Sequence, residues 1–104
     1  MSGKVELSQQ GPLATVTLHN PPKRNAMTRA MWRELRSVFD SFSRNEYAGN
    51  GPIRCIIVRG DANHFCAGGD IAEYPEFRFN PESLQQFHEE DVAPALHAML
   101  ACDI

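Results

Sequence analysis

The chain is 104 residues long, with 42% hydrophobic and 22% charged residues and a formal net charge of -3 at pH 7. This length suits one globular domain with a modest core and excludes a second. The lack of a basic surplus argues against nucleic acid and anionic membranes as partners. No apolar stretch approaches the roughly 20 residues that cross a bilayer, and the N-terminus has no signal-peptide core, so we expect a cytoplasmic protein. The three cysteines lack CxxC spacing, which favours free thiols over a disulfide framework or a zinc site.

The first part of the chain predicts a β-hairpin followed by a helix. Apolar and polar residues alternate on both sides of Gly11-Pro12, as in an antiparallel hairpin with one buried face. Asn20-Pro21-Pro22 must then leave the sheet, because consecutive prolines donate no ladder hydrogen bonds. Thr28 is a candidate N-cap, and apolar residues recur at helical spacing from Met31 to about Ser43. The Gly- and Asn-rich stretch 47–52 predicts a surface loop.

An apolar block from Cys55 to Val58 predicts a strand that is covered on both faces in a parallel or mixed sheet. Ala67-Gly68-Gly69 follows it and leaves the main chain bare of bulky side chains. Asp70 can then cap a short helix that ends near Pro75. Free N–H groups at such a place predict a site for an anion, or for a carbonyl oxygen that develops negative charge. A tight strand-to-helix turn without a ligand is the alternative interpretation of this stretch taken alone.

The last part of the chain predicts an irregular segment and then a long helix. Glu73 to Asn80 shows no clear period, whereas Asn80-Pro81 has the residues of an N-cap and a first helical position. Apolar residues then line one side of a helix, which we expect Pro94 to bend. The run His88 to Asp91 could suggest metal ligands, but neighbouring residues on a helix point in different directions, so a solvated face is favoured.

Two stretches resemble the motifs of one family. Phe65-Cys66-Ala67-Gly68-Gly69-Asp70-Ile71 resembles the F-[CAS]-[AS]-G-[GA]-D-[IL] signature of the crotonase, or enoyl-CoA hydratase/isomerase, superfamily. The upstream stretch from Leu18 to Met27 resembles the family's L-N-x-P-x-x-x-N-A-[LM], with His19 in place of the usual Asn. Two motifs in this order are more specific than either alone. The resemblance implies an α/β fold, the crotonase-like β-β-α spiral, incomplete in this chain, with residues 1–104 forming the N-terminal part of a single crotonase-fold domain.

The resemblance also implies an activity. It indicates an enzyme of fatty acid metabolism that acts on an acyl-CoA thioester, with addition of water to a 2-enoyl-CoA as the leading reaction. Isomerases, dehalogenases, decarboxylases and acyl-CoA hydrolases of the family share this N-terminal part, so their reactions are alternatives. A non-catalytic acyl-CoA-binding pseudoenzyme or fragment is the alternative from another class. The family uses no metal or redox cofactor, coenzyme A being part of the substrate, and assembles as trimers or hexamers. Its catalytic glutamates lie further along, so we expect no measurable hydration by these 104 residues alone.

The resemblance assigns roles to single residues. The N–H of Gly69 matches one of two backbone donors that stabilise negative charge on the thioester oxygen, and the missing side chain there is expected to leave room for the acyl group. Lys23 and Arg24 lie where phosphate contacts would be useful, with solvated surface charge as an equal alternative. The full set matched to substrate and CoA binding is Lys23, Arg24, Ala26, Ala67, Gly68, Asp70 and Ile71.

Other reactive side chains near the motif have simpler interpretations. Cys66 has no matched base, so small-residue packing is favoured over a nucleophile. His64 is more readily an exposed loop histidine than an acid, base or ligand. Glu73 and Glu76 are expected close to the site, but neither matches a catalytic glutamate of the family, and no such role is transferred to them.

Overall fold

The computed structural model describes residues 3–43 and 52–104. Its strands and α-helices are β1 (Lys4–Gln10), β2 (Leu13–His19), α1 (Arg29–Ser43), β3 (Cys55–Gly60), α2 (Pro81–Phe87) and α3 (Ala93–Leu100). A 3₁₀ turn at Pro21–Lys23, a 3₁₀ helix at Ile71–Glu76 and a π-helical turn at His88–Val92 connect them. The predicted hairpin, first helix and third strand are therefore confirmed, and the loop predicted at 47–52 falls, up to residue 51, outside the described residues.

β2 is the central strand of the sheet in the described part of the chain. It pairs antiparallel with β1, where Val5 faces Leu18, and parallel with β3, where Val16 faces Val58. Every second residue of β2 is buried, beginning with Ala14. The predicted alternation is confirmed, because side chains of a strand point in turn to its two faces and only one face meets the core.

The prediction that β3 is covered on both faces is wrong for the described residues. β3 is an edge strand of this sheet, and Cys55 and Ile57 on its outer face are exposed, Ile57 by 43%. Ile56 and Val58 on the other face pack partly against the core. An apolar run indicates that a strand has residues suited to burial, but the number of covered faces depends on which elements pack against it.

The core lies between the sheet and the helices α1 and α3. The Thr28 hydroxyl accepts a hydrogen bond from the N–H of Met31 at 3.1 Å, which confirms the predicted N-cap of α1. α1 turns a stripe of buried side chains toward β1 and β2, and Ala95 and Ala98 of α3 close the other side. That stripe consists of Met31, Leu35, Phe39 and Phe42.

The long C-terminal helix is interrupted rather than simply bent. Asn80 caps α2 as predicted, with its side-chain oxygen accepting from the N–H of Glu82 at 2.9 Å. The π-helical turn precedes Pro94, and Ala93 N–H donates to the carbonyl of His88, the i to i−5 spacing of a π-turn. Because Pro94 has no N–H to donate, the helical hydrogen bonds must rearrange around it, and the wider turn accommodates this.

Candidate functional site

The candidate site is built on a short pairing between the two motif stretches. The N–H of Met27 donates to the Gly68 carbonyl at 2.7 Å, and the N–H of Asp70 donates to the Met27 carbonyl at 2.9 Å. Met27 and Gly69 thereby form an isolated parallel bridge. Successive N–H groups of an extended segment point to opposite sides, so the N–H of Gly69 points away from Met27. Within the described residues this N–H donates no hydrogen bond, which leaves it available to a ligand.

A short helix follows Gly69 directly. The Asp70 side chain accepts from the N–H of Ala72 at 3.0 Å and caps the 3₁₀ helix Ile71–Glu76, as the sequence predicts. Pro75 lies inside this helix, next to its last residue. The sequence predicts an irregular segment from Glu73 to Asn80. This prediction is wrong for residues 73–76, which belong to the 3₁₀ helix. A single 3₁₀ helix of this length adds little dipole, so the direction of the Gly69 N–H is the main feature of the site.

An ion pair joins the two motif stretches. Lys23 Nζ lies 2.9 Å from Asp70 Oδ2, and the Asp70 side chain is only 5% exposed. Burial is the largest single influence and raises the pKa of this carboxyl, but the hydrogen bonds from Lys23 and the Ala72 N–H, with the charge of Lys23, outweigh it and hold the pKa below its ordinary value of 3.8. Lys23 therefore has a partner within the protein in addition to any ligand.

Asn25 connects the upstream loop to the loop before Gly69. Its side chain is fully buried; Oδ1 accepts from the Asn20 N–H at 2.8 Å, and Nδ2 donates to the carbonyls of Asp61 and His64, each at 2.8 Å. Its φ of 61° is in the left-handed region, which Asn adopts more readily than most residues. The motif comparison included Asn25 but assigned it no role. The residue type was the available signal, because an Asn in a loop can adopt a left-handed φ.

Further contacts hold the same loop in place. The Ala67 N–H donates to the Arg24 carbonyl at 3.1 Å, and Asn20 Nδ2 donates to the Ala26 carbonyl at 2.9 Å. His19 Nδ1 is hydrogen-bonded to Asp61 Oδ2. The hydrogen bond with His19, followed by that from the Ala62 N–H, lowers the pKa of the Asp61 carboxyl. His19 thus contacts the loop that leads to Gly69.

The residues matched to CoA binding differ in exposure. Arg24, Ala67, Gly68 and Ile71 are exposed, Ile71 by 74%. Ala26 and Asp70 are instead buried, at 7% and 5% exposed. A cleft of about 270 Å³ is lined by Arg24, Asn63, His64, Phe65, Cys66 and Ala67, and Gly69 is not part of that lining.

The space beside Gly69 is occupied by a tyrosine. A Cβ built on Gly69 would lie 2.7 Å from Tyr74 Oη, so the expectation that the missing side chain simply leaves room for an acyl group is wrong. The Tyr74 ring is held by the Arg78 guanidinium, 5.1 Å from its centroid, and by Phe77, whose ring centroid lies 5.7 Å away. Beyond it lies a cleft of about 290 Å³ lined by Tyr74, Phe77, Arg78, Leu84, Phe87 and His88. Sequence reasoning gave Tyr74 no role.

A buried carboxylate anchors the helices behind the site. Asp91 is 1% exposed and accepts from Arg29 Nε and Arg33 Nε, both at 2.7 Å. The prediction of a solvated face is therefore wrong for Asp91, although residues 88–90 are exposed. The π-helical turn changes the helical phase at this point, which sequence periodicity could not show. The backbone N–H of Arg29 also donates to Glu73 Oε1 at 2.8 Å, which ties α1 to the 3₁₀ helix after Gly69.

Residues 3–43 and 52–104 contain neither a metal-binding cluster nor a membrane-spanning helix. No three or more His, Cys, Asp and Glu side chains in these ranges are grouped so that they could hold a metal ion. The same ranges contain no helix with both the length and the apolar character to cross a membrane. Cys55, Cys66 and Cys102 are free thiols.

Comparison with known proteins agrees with the two motifs and their pairing. The family model described as enoyl-CoA hydratase/isomerase matches residues 8–104. The chain belongs to the enoyl-CoA hydratase/isomerase family. This family member is 37% identical over 71 residues to a probable enoyl-CoA hydratase of Bacillus subtilis, across 68% of the chain and 25% of that relative. It is 36% identical over 66 residues to the mitochondrial Delta(3,5)-Delta(2,4)-dienoyl-CoA isomerase of Mus musculus, across 64% of the chain and 19% of that relative.

The fold agrees with solved structures of the same family. The crystal structure of an enoyl-CoA hydratase/carnithine racemase from Magnetospirillum magneticum superimposes with a TM-score of 0.82 at 32% sequence identity. The match covers 94% of this chain and 35% of that one. The α/β fold of the crotonase type is confirmed. The chain spans about a fifth to a third of the length of the relatives named here.

Proposed function

We propose that the protein acts on an acyl-CoA thioester and that the N–H of Gly69 binds the thioester oxygen. The observation that carries this proposal is the direction of that N–H, which points away from Met27 and has no hydrogen-bond partner among the described residues. A fixed N–H of this kind stabilises an oxygen that gains negative charge during a reaction. Removing one such donor from a comparable enzyme site costs about 3 to 4 kcal/mol of transition-state stabilisation.

The proposed reaction is the addition of water to a 2-enoyl-CoA. The water oxygen forms a bond to C3 and gives one proton to a general base, the π electron pair of the double bond moves toward the thioester, and C2 then takes up a proton. Negative charge on the thioester oxygen peaks between these steps, where the Gly69 N–H would act. The overall addition involves no oxidation or reduction, so the proposal includes no redox cofactor.

The binding of the CoA portion forms part of the same proposal. Arg24, Ala67 and Ile71 are exposed and would contact the adenine and pantetheine. Lys23 is 43% exposed and would contribute positive charge near the phosphates while it pairs with Asp70. Buried Ala26 and Asp70 would shape the loop from within. Assembly of the complete protein as a homotrimer or hexamer and a cytoplasmic location complete the proposal.

Movement of a double bond within an acyl-CoA is the second candidate reaction. It is favoured by the Mus musculus dienoyl-CoA isomerase, whose 36% identity nearly equals the 37% identity of the Bacillus subtilis probable hydratase. Both reactions pass through a charged thioester oxygen and would use Gly69 in the same way. Analysis of the products formed from crotonyl-CoA and from a dienoyl-CoA by the complete protein would distinguish them.

The test of the thioester contact compares two ligands that differ in one group. Butyryl-CoA has a thioester carbonyl, whereas S-butyl-CoA has a methylene in its place. With the ¹⁵N-labelled chain, we expect both ligands to shift the amide resonances of Arg24 and Ala67, and only butyryl-CoA to shift that of Gly69. No shift at Gly69, or the same shift with both ligands, would overturn the proposal.

A further inference from the structure

Two polar groups without partners lie side by side in the candidate site. The Tyr74 hydroxyl lies against Gly69, 2.7 Å from the position of an added Cβ. Among the described residues, neither this hydroxyl nor the Gly69 N–H takes part in a hydrogen bond. Within the described residues the Tyr74 hydroxyl is not among the buried side-chain atoms that lack a partner, so it is open to a ligand in place of water. Both adjacent donors are therefore available to an acceptor.

The Tyr74 hydroxyl is held in place from several sides. The Tyr74 carbonyl accepts hydrogen bonds from the N–H groups of Phe77 at 3.1 Å and Arg78 at 2.7 Å. The same two residues contact its ring. The preceding residue, Glu73, is bound to the first turn of α1 through the Arg29 N–H. A donor that is fixed before the ligand arrives stabilises developing charge without reorganisation of the site.

We propose that the Tyr74 hydroxyl is an additional, side-chain hydrogen-bond donor to the thioester oxygen beside the backbone donors, and hence a catalytic residue next to Gly69. The inference rests on the proposed function. A tyrosine hydroxyl can donate a hydrogen bond. It stabilises the charged oxygen by hydrogen bonding alone and keeps its proton throughout. Its bond strengthens as charge develops on the oxygen, because hydrogen bonds to ionised acceptors are stronger than neutral ones.

The competing explanation is that Tyr74 is only a wall of the site. The variant Tyr74→Phe separates the two roles, because it keeps the ring and its contacts with Arg78 and Phe77 and removes only the hydroxyl. If Tyr74 only limits the space of the site, its hydroxyl should affect the binding of a ligand with a carbonyl and of one without it equally. A donor would favour the ligand that has the carbonyl.

The experiment measures the dissociation constants of butyryl-CoA and S-butyl-CoA for the native chain and for Tyr74→Phe. We expect the variant to bind butyryl-CoA about 3- to 10-fold more weakly, the range of one hydrogen bond, and to bind S-butyl-CoA unchanged. The matched control is Glu76→Gln, an exposed position on the same 3₁₀ helix, which should leave the ratio of the two constants as it is.

The outcomes separate this inference from the proposed function. A native chain that does not distinguish the two ligands would overturn the proposed function itself. The role of Tyr74 alone would be overturned if the native chain and Tyr74→Phe had the same ratio of the two dissociation constants. An equal loss of affinity for both ligands in the variant is one such result. If Tyr74→Phe unfolds, site-specific fluorotyrosine at position 74 replaces it. Its more acidic hydroxyl is a stronger donor and should increase the preference for butyryl-CoA, and an unchanged preference would count against the proposal.

Discussion

Lys23 Nζ lies 2.9 Å from Asp70 Oδ2, so an ion pair joins the upstream loop to the turn that presents Gly69. The same two stretches are also paired through the backbone of Met27. The side-chain contact therefore reinforces a connection that already fixes the direction of the Gly69 N–H. Its strength depends on pH, because one partner is a carboxyl with a lowered pKa.

Asp70→Asn should lower the free energy of unfolding near pH 7 by about 1.5 to 3 kcal/mol, the range for a hydrogen bond to a charged group. Because the pKa of Asp70 is lower in the folded chain than its ordinary value of 3.8, its contribution is complete above that value and is lost as the pH falls through the folded pKa. Urea denaturation of both proteins should show the gap closing below pH 3.8. A gap that is constant with pH would contradict this account.

Asn25→Ala should lower the free energy of unfolding by about 2 to 4 kcal/mol, from lost hydrogen bonds and from a left-handed φ that alanine adopts poorly. Asn25→Gly is the matched control, because glycine accepts this φ and lacks the same hydrogen bonds. We expect it to be about 1 kcal/mol more stable than Asn25→Ala in thermal or urea unfolding. Equal stability of the two variants would show that backbone strain contributes nothing here.

Asp91→Asn should destabilise the chain by about 2 to 3 kcal/mol, less than the loss of one partner from a fully buried ion pair, because Arg33 is 62% exposed. Glu90→Gln is the control, since Glu90 is adjacent but exposed, and its effect should stay within about 0.5 kcal/mol. Chemical denaturation measures both. Similar losses for the two variants would imply that general charge, and not the contacts with Arg29 and Arg33, stabilises the helices.

Gly69→Ala should be destabilising, by about 1 to 3 kcal/mol, because its Cβ would collide with the Tyr74 hydroxyl at 2.7 Å. In a Tyr74→Phe background the nearest remaining ring atoms lie 3.4 Å away, an ordinary contact, so the same substitution should cost less. A double-mutant cycle of unfolding free energies measures the coupling. Additive effects would mean that the two residues do not contact each other in solution.

The elements that depend on local chemistry were predictable from the sequence. Thr28, Asp70 and Asn80 cap the segments that follow them, because a capping side chain bonds N–H groups only two or three residues away. Each of these features is decided within one turn of the residue concerned.

The features that depend on distant partners were not predictable in this way. Asp91 stands in a run of charged residues, and only the π-helical turn and the position of α1 show that it is buried. The exposure of β3 depends on what packs on its second face. Within the site, the family motif located Gly69, but the roles of Asn25 and Tyr74 come from contacts across the fold that no local pattern contains.

The N–H groups of Met27 and Asp70 are bonded in the short parallel pairing, whereas that of Gly69 between them is not. Amide protons exchange with solvent deuterium only when their hydrogen bonds open, so Gly69 should exchange fast while Met27 and Asp70 exchange slowly. The exchange rate of the Gly69 amide proton therefore reports whether an acceptor is bound at the site. A bound acceptor would slow deuterium uptake at one glycine, and the two protected neighbours would serve as an internal reference in the same spectrum.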